Sequence, residues 1–163
     1  MPPLTRKDEE AAVSASDVVL VVFDGVEVID VAGPASVFSK AGQMHPGRYR
    51  LHIASPAGGT VSTNGGLSFA GTCSLQQLPA SIDTLIVAGG DEPAVRAAIL
   101  EQHIGAWLRQ VAPRTRRMAS VCSGAFALAA GPHREPQRLP LGGRAAARLR
   151  AAARPDAASL SNP

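Results

Sequence analysis

The chain opens its ordered pattern with Asp17-Val18-Val19-Leu20-Val21-Val22-Phe23, an unbroken β-branched and apolar run. Such a run fits a central strand covered on both faces rather than an alternating, half-wet one. Asp24-Gly25 ends it, Val26 to Val31 follows, and Gly33-Pro34 predicts the start of a short helix through Phe38 that stops near Gly42. Arg48 to Ala54 alternates as a second strand and ends at Ser55-Pro56. Thr60-Val61-Ser62-Thr63 and Leu67-Ser68-Phe69 flank Asn64-Gly65-Gly66, the composition of a hairpin. Thr84 to Ala88 is another buried strand, closed by Gly89-Gly90. Asp91, Glu92 and Pro93 then start a helix predicted to run to about Val111, with Val95, Ile99, Ile104, Trp107, Leu108 and Val111 as its buried face. Arg117 to Val121 is the last convincing strand.

Strands alternating with helices imply an α/β domain with a mainly parallel sheet. In such sheets, sites form at the carboxyl ends of the strands. Asp30 follows the first strand, Gly89-Gly90 a later one and Cys122 the last, so all three are expected to meet at one edge of the sheet.

Cys122 lies in Ser120-Val121-Cys122-Ser123-Gly124, the small-x-nucleophile-x-Gly spacing of a nucleophile elbow. A side chain presented on a tight strand-to-helix turn sits in a strained conformation, and bulky neighbours two positions away would collide. The turn also aims the first amides of the following helix at the sulfur, which favours a thiolate. The competing reading is a buried structural cysteine, since free cysteine is among the most buried residue types. Context favours the elbow.

Length and charge narrow the rest. The 163 residues suffice for one domain with a real core. Cys73 and Cys122 form no Cys-x-x-Cys pair, so neither a disulfide framework nor a zinc knuckle is indicated. Residues 1–16 read as a disordered extension: Arg6-Lys7-Asp8-Glu9-Glu10 precludes the apolar core of a signal peptide. No apolar run approaches the roughly 20 residues of a membrane span, so a cytoplasmic protein without membrane contact is expected. From Gly131 onward six arginines face only Glu135 and Asp156, a surplus of four, so the preceding residues carry −1 of the chain's net +3. The basic character belongs to the tail, and direct nucleic-acid binding is not expected.

The motifs jointly resemble the ThiJ/PfpI superfamily, the class I glutamine amidotransferase-like fold. Phe23-Asp24-Gly25-Val26-Glu27-Val28-Ile29-Asp30-Val31-Ala32-Gly33-Pro34 is similar to the Asp-x-x-Gly-Pro block of the branch that holds isocyanide hydratases and the N-terminal sensor domains of AraC-type transcription regulators. Ser62 to Leu67, Val87 to Gly90 and Ser120 to Ala125 match further blocks in the expected order. The resemblance covers residues 17–130 and implies a flavodoxin-like three-layer α/β sandwich. It implies a small-molecule ligand and a homodimer in the intact family member; no cofactor is expected, and no His/Cys/acid cluster has the spacing of a metal site.

It also maps the family's acidic residue onto Asp30, where a protonated carboxyl would donate a hydrogen bond to the Cys122 sulfur. The alternative is that Asp30 caps the helix at Gly33-Pro34. The amides of Gly90 and Ser123 are candidates for an oxyanion hole, against a plain Gly-Gly turn. Glu27 is treated as surface and Cys73 as a bystander. None of His45, His52, His103 or His133 matches the histidine of triad-bearing relatives.

The resemblance stops at Ala130. Residues 131–163, biased to Arg, Ala, Pro and Gly, read as a disordered or weakly helical tail, and the strands that close the superfamily's sheet are expected to be missing through truncation or a frameshift. The expected function is the ligand-sensing part of an AraC-type regulator without its DNA-binding half. The alternative is a cysteine-dependent hydratase or hydrolase of small molecules, with Cys122 as nucleophile and Asp30 as general acid/base or orienter.

Overall fold

The computed structural model describes residues 15–131, so the expectations for the N-terminal extension and for the tail lie outside the described residues. The run that begins at Asp17 forms β1 (Ser16–Val21), and Val18 to Val22 are wholly buried. Its neighbours are β2 (Tyr49–Ser55) and β5 (Ile82–Val87), both parallel to it. The hairpin around Asn64-Gly65-Gly66 is β3 (Gly59–Ser62) paired antiparallel with β4 (Ser68–Ser74). β6 (Thr115–Ser120) pairs in parallel with β5 and is the outer strand among the described residues. The sheet order is β3-β4-β2-β1-β5-β6.

Successive β1 side chains face opposite ways, as a strand's twofold period requires. Val19 and Val21 join Phe23, Leu85 and Val87 in a core with Val95, Ala98, Ile104, Leu108 and Ala127 of the helices. Val22 lies on the other side with Val26, Val31, Val61 and Ala88. The outcome is the predicted three-layer α/β sandwich. One layer is α1 (Val28–Met44), and the other holds α2 (Glu92–Leu100), α3 (Ile104–Val111) and α4 (Gly124–Ala130).

Two helix boundaries differ from the sequence pattern. α1 begins at Val28, not at Gly33-Pro34, and carries Pro34 in its interior. Its start is fixed from outside: the Glu27 N–H donates to Gly89 O at 2.9 Å, and Val26 bridges both Thr63 and Gly90. Proline inside a helix forfeits one backbone bond. Here the packed α1 tolerates that loss. The single helix expected from Asp91 to Val111 is two, because His103 adopts φ +56° and reverses the chain between α2 and α3. Val95, Ile104, Leu108 and Val111 are buried as expected, whereas Ile99 and Trp107 are only partly covered.

The edge strand is tied to β5 by Asp83, which accepts from Arg116 Nε at 2.6 Å and from the Thr84 hydroxyl at 2.8 Å. Burial pushes the Asp83 carboxyl upward, but the bond from Thr84, then the bond and charge of Arg116, and the charge of Arg117 outweigh it and hold it below the ordinary value. A depressed carboxylate stabilises the fold above its unfolded pKa, about 4, and loses that contribution as pH falls through the folded value. Asp83→Asn is therefore expected to lower stability near neutral pH by about 1 kcal/mol or less, the exposed guanidinium limiting the effect. The gap to wild type should close as pH falls below about 4. Urea midpoints across that range check it, and a gap independent of pH would contradict the pairing.

Candidate functional site

The chain runs outward from β1 through β2 to the hairpin, then returns to β5 on the other side of β1. The carboxyl ends of β1 and β5 therefore flank the point where the strand order reverses, the place where open α/β sheets form their crevices. Asp30 comes from the first turn of α1, Gly89-Gly90 from the end of β5, and Cys122 from the end of β6. The three strand ends do converge.

Their meeting point is the Gly89-Gly90 turn. The Gly89 N–H donates to Asp30 Oδ2 at 3.2 Å, and Gly89 O accepts from the Glu27 N–H. The Gly90 N–H donates to Ser123 Oγ at 3.0 Å, while the Ser123 hydroxyl donates to Gly90 O at 2.7 Å. All four backbone polar groups of the turn are thus satisfied from β1's end or from the elbow. There is no room for a side chain at Gly89: a Cβ there would lie 2.6 Å from Asp30 Oδ2, 2.8 Å from Ser123 Oγ and 2.9 Å from Ser123 N.

Asp30 is not a helix cap. Glu27 occupies the N-cap position of α1 without a side-chain bond, and the Asp30 carboxylate, 5% exposed, goes to Gly89. Glu27, expected as surface, is partly covered and accepts from Asn64 Nδ2 at 2.9 Å; the same amide reaches Asp91 at 3.4 Å.

Cys122 has φ +50°, one of two non-glycine residues with positive φ among the described residues. That left-handed geometry costs about 1–3 kcal/mol. The flanking backbone holds it: Val121 N–H donates to Val87 O, and Gly124 N–H to Val121 O. Gly124 is required because a Cβ would sit 2.3 Å from Val87 O and 2.7 Å from Ala88 O. The turn leaves Cys122 exposed, whereas Cys73 is half-buried with its thiol directed to Ile53 O at 3.4 Å. A buried structural role for Cys122 is thereby excluded.

The oxyanion-hole expectation needs a correction. The Gly90 amide is already bonded to the Ser123 side chain, so it does not stand open as a donor. Among the described residues the Ser123 N–H makes no hydrogen bond, and no side chain is bonded to the Cys122 sulfur. His52 Nε2 lies 2.7 Å from Asp17 Oδ1 near the opposite end of β1, and His103 sits in the α2–α3 turn. The Ser123 hydroxyl was missed in the sequence, where only its amide was considered; the motif offered the residue but not its rotamer. An open apolar groove of about 470 Å³ between α2 and α4 is lined by Val95, Ile99, Leu100 and Phe126, with Glu92 and Arg96 at its rim. It meets the site only through Ser123.

A parallel α/β sandwich with a cysteine elbow and an acidic residue after its first strand defines a class of domain. The chain belongs to the DJ-1/PfpI family, whose model matches residues 16–134. A relative from Streptomyces lividans, the "uncharacterized protein in cpoL 5′region", is 40% identical over 113 residues, 69% of this chain and 77% of that protein. Among solved structures, a ThiJ/PfpI family protein from Pseudomonas syringae is similar with a TM-score of 0.62 and 22% identity, over 80% of this chain and 52% of that one. An AraC family transcriptional regulator from Pseudomonas putida is similar with a TM-score of 0.57 and 18% identity, over 69% and 59%. The chain thus spans little more than half the length of these two solved structures. No helix among the described residues is long and apolar enough to cross a membrane.

Exposure separates the two thiols. Iodoacetamide near neutral pH is expected to modify Cys122 at least about tenfold faster than Cys73 in the folded protein, read by peptide mass spectrometry. Asp30→Ala, which removes a support of the turn, should slow the Cys122 reaction. Equal labelling of the two cysteines would contradict the elbow.

Proposed function

We propose that this chain is the ligand-sensing DJ-1/PfpI domain of an AraC-type transcription regulator, holding a small molecule at the Cys122 turn without consuming it. The observation that carries this reading is the use of the polar groups beside Cys122. The Asp30 carboxylate and the Ser123 hydroxyl both hold the Gly89-Gly90 backbone in place. A cysteine enzyme needs a base within hydrogen-bond reach of sulfur or of its proton acceptor. Here the Asp30 and Ser123 side chains are committed to the Gly89-Gly90 backbone instead. The likeness to the Pseudomonas putida regulator, which is one of fold, agrees with this reading. DNA contact would fall to a separate domain of the intact regulator.

A second reading is a cysteine-dependent hydratase or hydrolase of small molecules. The exposed, left-handed Cys122 favours it, as such presentation suits a nucleophile. Cys122 would then attack, Asp30 would orient or transfer a proton, and the Ser123 amide would receive the developing anion.

Isocyanides, amides and α-keto aldehydes offered to the protein separate the two. The sensor reading expects saturable binding, seen by calorimetry or thermal shift, with no product formed. Turnover of any of them that disappears in Cys122→Ser would overturn the sensor reading and establish the enzyme.

A further inference from the structure

The Ser123 side chain occupies a particular position: its oxygen sits where a ligand's acceptor oxygen would have to sit to receive the Gly90 N–H. We propose that the Ser123 hydroxyl is a displaceable latch on the Gly90 amide, which an acceptor oxygen of the ligand must push aside. This rests on the reading of the Cys122 turn as a ligand site, and it names the chemistry that the site accepts: a carboxylate or a polarised carbonyl oxygen.

The geometry gives the latch two settings. In the closed setting, Oγ accepts from Gly90 N at 3.0 Å and its proton goes to Gly90 O at 2.7 Å, so one hydroxyl satisfies both polar groups of a single residue. A serine side chain has one heavy-atom torsion with three staggered positions. Rotation about it releases the Gly90 N–H without moving the backbone. The backbone has little freedom to move in any case. Gly89 is held by Asp30 and Glu27, and a Cβ at Gly90 would meet Gly25 O at 2.6 Å. The donor is therefore fixed and only its partner is exchangeable. A neutral ligand atom without a lone pair gains nothing by displacing the hydroxyl and leaves a partly buried donor unpaired, so the latch also discriminates by chemistry. The apparent affinity for an acceptor is the intrinsic affinity multiplied by the fraction of molecules in which the latch is open. Ser123 is thus a positioning residue, acting through the Gly90 amide.

The test uses the full chain labelled with nitrogen-15, comparing wild type with Ser123→Ala and Ser123→Thr, and sodium formate as the acceptor probe. Hydrogen exchange at the Gly90 amide should be about tenfold faster in Ser123→Ala, the equivalent of about one hydrogen bond, and should return to the wild-type rate in Ser123→Thr. Formate should shift the Gly90 amide resonance at about tenfold lower concentration in Ser123→Ala than in wild type. Should Ser123→Ala fail to fold, Ser123→Cys supplies the same comparison with a weaker donor and acceptor. Unchanged Gly90 exchange in the variant would overturn the latch. So would a formate response at equal concentration in both proteins, or no response in either. None of these readouts involves the Cys122 thiol or any turnover, so the latch and the sensor reading fail separately.

Discussion

The Gly89-Gly90 turn is the constraint on which the site depends. Two consecutive residues without side chains leave four backbone polar groups in the buried and partly buried turn after β5, where each needs a partner. The partners come from two other places in the chain. Glu27 and Asp30 lie beyond β1, and Ser123 lies in the elbow beyond β6. Hydrogen bonds that serve one turn thereby fix the relative placement of three strand ends. The arrangement also accounts for residue choice. Asp30 lies buried because Gly89 gives it a donor, and Gly89 stays glycine because Asp30 and Ser123 fill the space a Cβ would take.

The left-handed Cys122 is the strained element that this network supports. Its backbone is held between Val121, which reaches across to Val87, and Gly124, which presses onto the carbonyls of Val87 and Ala88. The strain of about 1–3 kcal/mol is small against the burial of β1 and β5, where each wholly covered aliphatic side chain contributes about 1.5–3 kcal/mol. The core thus maintains a geometry that the local sequence would not adopt alone, and the product is an exposed thiol beside a rigid polar wall.

How much of this was legible in the sequence differs by element. The β1 run, the Asn64-Gly65-Gly66 hairpin, the Gly89-Gly90 turn and the elbow spacing were readable because each depends on local sterics or on burial of a short segment. The start of α1 was not. Gly33-Pro34 carries a helix-start signal, but the true start is set at Val28 by a bond from Glu27 to Gly89, distant in sequence. The break at His103 was equally hidden, since a non-glycine residue at positive φ leaves no compositional mark. The roles of Asp30 and Ser123 were half visible. Both residues stood in recognisable blocks, yet their side-chain partners follow from tertiary placement and rotamer, which no spacing encodes.

The most direct test of the turn as a shared hub is a double-mutant cycle in unfolding free energy, with Asp30→Ala, Ser123→Ala and the double variant compared with wild type. The two side chains support adjacent residues of one turn, so loosening it from either side should weaken what the other contributes. The double variant is expected to lose less stability than the sum of the single losses, by about 0.5–1 kcal/mol or more. Additivity within about 0.3 kcal/mol would mean that the two residues act independently, and would contradict the account of a single turn holding the site together.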